Sequence, residues 1–232
     1  MIEQNINRVR QEIADKCLKI GRNPKEITLI AVSKTYGYES VLEARVHGQK
    51  DFGENWSQEL VEKYDLVPKD VAWHFIGHLQ TNKAKYVVPR AEVIHSVDSL
   101  KLAEEISKTA QKQSKVQKIL LEIKTSEEAT KYGLTSETEI EEIAGFCSGN
   151  QNIDLVGLMT MAPFTNDEAK IRQSFIQLRE LKTKLNESGF GLKELSMGMT
   201  SDFEIALEEG ATMLRIGTAI FGTRHYSTEQ KI

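Results

Sequence analysis

Lys34 follows an apolar run, ITLIAVS, whose β-branched composition reads as a fully buried strand. A lysine at the end of such a strand loses part of its hydration. That disfavours the ammonium and frees the amine as a nucleophile toward carbonyls, the chemistry of a Schiff base. The same position also suits a lysine whose stem snorkels from the strand end into water. Near the other end of the chain stands Arg215–Ile216–Gly217–Thr218. Glycine lets backbone approach a ligand closely, N–H groups at a helix start can cradle an anion, and the Thr218 hydroxyl adds a donor. An ordinary strand-to-helix turn would look the same. Ser196–Met197–Gly198–Met199 offers similar chemistry one strand earlier. Two small glycine-containing loops after the seventh and eighth strands favour phosphate, which barrels often bind there. Arg215 points away from its neighbours Leu214 and Ile216 by strand alternation. A charge so placed needs a partner, and a strand-end carboxylate such as Glu54 would serve as a structural one.

The remaining polar residues speak less sharply. His74 and His95 fall inside strand candidates and read as structural, while His78, just past the third strand, suits either a structural or a site role. Met159, Met161, Met197 and Met199 read as core packing near the strand ends, and Lys83 and Lys85 as a solvated face. No HxH, HExxH or Cys/His spacing suggests a metal. Cys17 and Cys147 lie far apart and form no disulfide framework, which points to a reducing, cytoplasmic setting. The net charge of −4, with both signs interspersed, argues against a nucleic-acid footprint. No apolar run approaches the roughly 18 residues of a membrane span, and MIEQNINRVRQEIADK has no secretory apolar region.

Positioning these residues requires an alternating framework, and the pattern supplies one. Ile2, Ile6, Val9, Ile13 and Ile20 mark one face of a leading helix that Gly21, Asn23 and Pro24 end. Strands are expected at Ile27–Ser33, Asp51–Glu54, Ala72–Ile76, Val93–Ser96, Lys118–Ile123, Leu155–Met159, Leu195–Ser196 and Met213–Ile216. Helices are expected near Glu39–His47, Ser57–Tyr64, Asn82–Val87, Ser99–Gln113, Glu137–Cys147, Asp167–Glu187 and Ser201–Glu208. Asp98 is the expected N-cap of the Ser99 helix, and Ser136/Glu139, Thr165/Glu168 and Ser201/Glu204 have capping-box spacing. The last helix signal is feeble and the tail STEQKI looks frayed. No GxGxxG follows the first strand. Eight strand–helix units in 232 residues fit an α/β single (β/α)8 TIM barrel, which takes about 250 residues, with an extra N-terminal helix and one domain over 1–232.

At AVSKT, FGENW, WHFIGHLQTNK, GLMTM and above all LSMGMTSDFEIALEEGATMLRIGTAIFG, the chain closely resembles the pyridoxal-phosphate homeostasis protein family, also called the YggS/PROSC family. The resemblance covers nearly the whole chain. It implies a barrel similar to the N-terminal domain of alanine racemase, with pyridoxal 5′-phosphate (PLP) held as a Schiff base on Lys34. It implies phosphate binding by Ser196 and Gly217–Thr218 with the backbone near Met197–Gly198. It sets Arg215 against the pyridine nitrogen and Asn55 near the cofactor, with Met159 and His78 lining the pocket. The chain departs from the pattern at Tyr36–Gly37–Tyr38, where many members have Lys-Pro, which removes a positive charge beside Lys34. Lys131 and Tyr132 match only weakly.

An arginine at the pyridine nitrogen keeps it unprotonated and makes the ring a poorer electron sink. Racemization also needs an acid or base on each face of the substrate, and the sequence shows no obvious second base beside Lys34. The expectation is therefore a monomeric PLP carrier or regulator rather than an enzyme, with apo PLP-dependent enzymes as recipients. The alternatives are a low-activity PLP-dependent amino-acid racemase and a Schiff-base lyase or aldolase acting on a phosphorylated sugar.

Overall fold

Eight parallel strands pair in sequence order and close on themselves. The computed structural model describes residues 1–126, 128 and 132–222. The strands are β1 (Thr28–Val32), β2 (Asp51–Glu54), β3 (Ala72–Phe75), β4 (Val93–Val97), β5 (Gln117–Glu122), β6 (Ile153–Met159), β7 (Glu194–Ser196) and β8 (Met213–Ile216). Closure is made by β1, which pairs with β2 through Ala31 and Phe52 and with β8 through Leu29 and Leu214. The helices are α1 (Ile2–Lys19), α2 (Tyr38–Val46), α3 (Ser57–Leu66), α4 (Ala84–Val87), α5 (Leu100–Lys112), α6 (Glu137–Ser148), α7 (Glu168–Glu187), α8 (Phe203–Glu208) and α9 (Thr218–Phe221). The chain thus forms a (β/α)8 TIM barrel with an extra N-terminal helix, as the alternation predicts.

Strand alternation sorts the side chains into two populations. Outward positions such as Phe52, Trp73, Phe75 and Ile94 join the helices in one large core, with the Phe52 and Trp73 ring centroids 5.9 Å apart. Inward positions Val93, Leu120 and Met159 form a small separate cluster. By the same alternation His95, Glu122, Ser196 and Arg215 share that inner face. Helix α1 buries Ile6, Val9, Ile13 and Cys17 and packs on α2, α8 and α9. Asn5 Nδ2 donates to Ile220 O at 2.9 Å, which fixes α1 across the seam between the first and last units. Both cysteines are buried and free. No described helix is long and apolar enough to cross a membrane.

Ser136 caps α6 as expected, accepting from Glu139 N. Three other caps differ from expectation. Asp98 faces His78 at 3.3 Å, and Ser99 caps α5 instead. Asp167 caps α7 by accepting from Ala169 N and Lys170 N, while Thr165 accepts from Asp167 N one turn early. Helix α8 starts at Phe203 rather than Ser201, and the Asp202 carboxylate turns back to accept from Met199 N at 2.6 Å. Lys131 and the tail STEQKI lie outside the described residues.

Gly157 sets the spacing of β6 and β7. A Cβ on it would stand 2.0 Å from Glu194 O, so any side chain must part the two backbones. Gly157→Ala is therefore expected to cost about 3 kcal/mol, the upper end for overpacking, read as a lower urea midpoint with unchanged m-value.

Candidate functional site

The β1 run delivers Ser33–Lys34–Thr35 to the C-terminal end of the barrel, where Lys34 is half-buried. Thr35 adopts φ +71°, a left-handed conformation that costs a non-glycine residue on the order of 1 kcal/mol. Its surroundings hold it there. The Thr35 N–H donates to Glu59 Oε2 at 2.9 Å, and Ser33 Oγ donates to Glu54 Oε1 at 2.6 Å. The buried Lys63 of α3 donates to Ser33 O, Glu54 Oε1 and Glu59 Oε2 at 2.8, 2.7 and 3.1 Å. One ammonium thus clasps both flanks of Lys34. Burial raises the Glu54 carboxyl against the opposing pull of Lys63. Burial also works to raise Glu59, but the Thr35 N–H and Lys63 outweigh it and hold that carboxyl below its usual range. Tyr36 donates to Gly222 O at 2.8 Å and lays its ring 5.1 Å from Phe221. The aromatic that departs from the family pattern therefore ties the Lys34 turn to the end of α9.

Arg215 enters the barrel interior, 5% exposed. Its Nη1 donates to Ser196 Oγ at 2.6 Å and its Nη2 to Thr160 O at 2.8 Å. Glu54 is not its partner, contrary to expectation, because that carboxylate is engaged by Lys63 and Ser33. Burial lowers Arg215 to about 10 against the pull of Asp202 and Glu122, which leaves it charged at neutral pH. Glu122, 3% exposed at the end of β5, is pushed up to about 7 by burial and by nearby Asp98, with Arg215 opposing.

The two glycine loops stand beside these groups. A Cβ on Gly217 would lie 3.3 Å from Val32 O, so the turn after β8 runs along the end of β1 two residues before Lys34. Gly217 gives α9 no side-chain cap. The first donors within this helix are Ile220 N and Phe221 N, both to Gly217 O, so the N–H groups of Thr218 and Ala219 point out of its start. Thr218 is exposed there. In the other loop Ser196, Met197 and Gly198 are buried, and Gly198 has φ +95°. A Cβ on Gly198 would meet Ala206 Cβ at 2.7 Å. Gly198 O accepts from Arg215 N, while the N–H groups of Met197 and Met199 are engaged by Met213 O and Asp202.

Asn55 and His78 occupy the other side of the mouth. They line a cavity of about 630 Å³ together with Gly77, Glu122, Tyr132 and Met161, but Lys34, Ser196 and Gly217 do not line it. The buried Asn55 Oδ1 has no hydrogen-bond partner among the described residues. His78 stands 3.3 Å from Asp98 and stacks on Tyr132 at 3.8 Å between centroids. Met159 packs below with Val93 and Leu120. Glu122 borders the cavity and also feels the Arg215 charge, so it joins the two halves. Glu122 is a site neighbour not expected from the sequence, although KILLE carries the same signal as Lys34, a charge closing an apolar strand. Lys63 and Glu59, inside a helix candidate, carry no such signal.

The same end of the barrel thus carries an amine that can meet a carbonyl, an uncapped turn with free N–H groups, and an amide oxygen with no partner among the described residues, above a buried guanidinium. Residues 2–225 match the family model of the alanine racemase N-terminal domain. The pyridoxal phosphate homeostasis protein of Aquifex aeolicus is 41% identical over 96% of this chain and 98% of its own length. That of Pseudomonas aeruginosa is 39% identical over 97% of this chain and 96% of its own. A solved structure of PipY from Synechococcus elongatus with PLP bound superposes with a TM-score of 0.85 at 34% identity, covering 96% of this chain and all of that one (100%). Alanine racemase from Corynebacterium glutamicum shares the fold, with a TM-score of 0.74 at 17% identity over 96% of this chain and 61% of that one.

Two outcomes follow from the buried charges. Lys63→Met strands Glu54 and releases Thr35, and is expected to lower unfolding free energy by about 3 kcal/mol, typical of a broken buried pair, by urea titration. Glu122 keeps its proton in the folded state up to about 7, where the unfolded chain has already lost it. Stability therefore falls as pH rises from the ordinary carboxylate range through about 7. Glu122→Gln is expected to remove on the order of 3 kcal/mol of that decline, measured by unfolding midpoints across the range.

Proposed function

This chain belongs to the pyridoxal phosphate homeostasis proteins of the alanine racemase N-terminal-domain family, and on that footing we propose that it is a reversible carrier of PLP. It acts as a monomer of one domain in the cytoplasm, keeps the free reactive aldehyde low and hands it to apo PLP-dependent enzymes. When bound, PLP supplies an aldehyde that condenses reversibly with amines and a ring that draws electron density. Lys34 would provide the amine for that condensation, in which the aldehyde oxygen leaves as water and returns on release. Thr218 and the N–H groups at the start of α9 hold the phosphate, whereas Ser196, expected to join them, lies level with Met213 and supports Arg215 instead. Arg215, a donor with no acceptor atom, faces the ring nitrogen and keeps it unprotonated. Asn55 offers its free oxygen.

The observation that carries this reading is the way Arg215 is held. Ser196 and Thr160 O fix its guanidinium on the inner face, which supports a permanent donor facing the ring nitrogen, where carbanion chemistry would be served by a carboxylate that keeps that nitrogen protonated. A second reading, the low-activity racemase, draws on Glu122. This buried carboxyl borders the mouth cavity and has a proton affinity near neutrality, which suits proton transfer.

The test combines trapping and transfer. Borohydride treatment of the PLP-loaded protein should fix the cofactor on Lys34, located by peptide mass spectrometry, and Lys34→Ala should abolish that adduct. Mixed with an apo PLP enzyme, the loaded protein should restore its activity. Sustained turnover of an amino acid that Glu122→Gln suppresses would replace the carrier with the racemase. Trapping of a sugar phosphate without PLP would favour the lyase, and failure of transfer would remove the carrier role.

A further inference from the structure

Lys34 is the second residue of a four-residue turn, Ser33 to Tyr36. Tyr36 N donates to Ser33 O at 3.1 Å, which closes the turn, and Thr35 in its third position has φ +71°. A turn with a positive φ there ordinarily takes glycine or asparagine at that position. Threonine, branched at Cβ, is poorly suited to it. Bonds from the next unit, β2 and α3, hold it all the same. Ser33 N donates to Gly53 O at 3.0 Å and Ser33 Oγ to Glu54 Oε1 at 2.6 Å. Thr35 N donates to Glu59 Oε2, and Lys63 ties Ser33 O, Glu54 and Glu59 together.

These bonds reach the turn from the side away from the mouth. Ala31 and Phe52 face the helices. A Cβ on Gly53 would meet Ile30 and Val32 at 3.1 and 3.5 Å, so these three share the opposite, inner face. Continuing that alternation, Ser33 turns outward, where Glu54 and Lys63 take it, and Lys34 turns inward. Glu59 and Lys63 stand one helical turn apart on α3 and so reach the same place. Their side chains are 27% and 7% exposed.

We propose that Glu59 and Lys63 are positioning residues for the Schiff base: they hold Thr35 in its left-handed conformation and so fix the direction from which the Lys34 amine meets an aldehyde. The inference rests on the carrier reading above. There, Lys34 Nζ and the aldehyde carbon form a C=N bond, and the two hydrogens of the neutral amine leave with the aldehyde oxygen as water. A loose turn lets the lysine sample other directions. Closing the bond then costs the ordering that the clamp has already supplied. That cost falls on the amine, so it is the same whatever else the aldehyde carries.

The experiment measures equilibrium binding of PLP and of pyridoxal, which has the same aldehyde and ring but no phosphate, by the absorbance band of the Schiff base in the whole protein. Glu59→Ala, at a partly exposed side chain, should weaken both by about tenfold, the worth of one hydrogen bond to a charged group. Glu59→Gln keeps an acceptor for Thr35 N and should recover most of that loss. Thr35→Gly removes the strain, since glycine adopts a positive φ freely. In that background Glu59→Ala should cost only about twofold. A side chain that merely supported the fold would show no such rescue.

Hydrogen exchange tests the clamp without the cofactor. The Thr35 amide should exchange slowly in the wild-type protein and about tenfold faster in Glu59→Ala. Equal rates in the two proteins overturn the clamp whether or not PLP binds. Unchanged affinities in Glu59→Ala, a loss confined to PLP, or a loss that Thr35→Gly leaves intact would overturn the positioning role while leaving the carrier in place. A wild-type protein that forms no Schiff base with either aldehyde removes both.

Discussion

A permanent positive charge inside a closed sheet governs the layout of this barrel. Arg215 cannot shed its proton cheaply, and at 5% exposure it is nearly cut off from solvent. Ser196 Oγ and Thr160 O take its hydrogens, Glu122 and Asp202 supply charge at a distance, and the buried His95 and His74 continue the polar links from Ser196 to Asp51. An apolar filling such as Val93, Leu120 and Met159 occupies only part of the interior. The rest is polar because Arg215 is there, and that polar layer makes the strand ends above it a place for a charged ligand.

A second charge, Lys63, does for the Lys34 turn what Arg215 does for the interior. A left-handed threonine beside a nucleophilic amine is a strained element, and such strain persists only where surrounding bonds over-determine it. Here the over-determination comes from one ammonium shared among Ser33, Glu54 and Glu59. The backbone that carries the amine is thereby held in place from both sides.

Strand positions were legible because short apolar segments alternate with helical patterns, and Asp51–Glu54 and Met213–Ile216 fall where that alternation puts them. The ends of β1, β8 and β7 follow from that, and with them Lys34, Gly217 and Ser196. Caps were less legible, since spacing rules such as Thr165 with Glu168 ignore a competing Asp167 one residue from the helix start. Partners across the barrel were not legible at all. That His74 meets His95, and His95 meets Ser196, depends on the stagger of the closed sheet, which no local window contains. For the same reason nothing local marks Lys63 as the partner of Glu54, although only nine residues separate the two.

The seam between β1 and β8 has a consequence for how this protein is made. The end of β1 that carries Lys34 and the Gly217 turn lie together there, yet more than 180 residues separate them along the chain. A ribosome delivers the lysine well before the turn. Until β8 docks on β1 the two are apart, so the strand ends come together only when the last pairing closes the barrel.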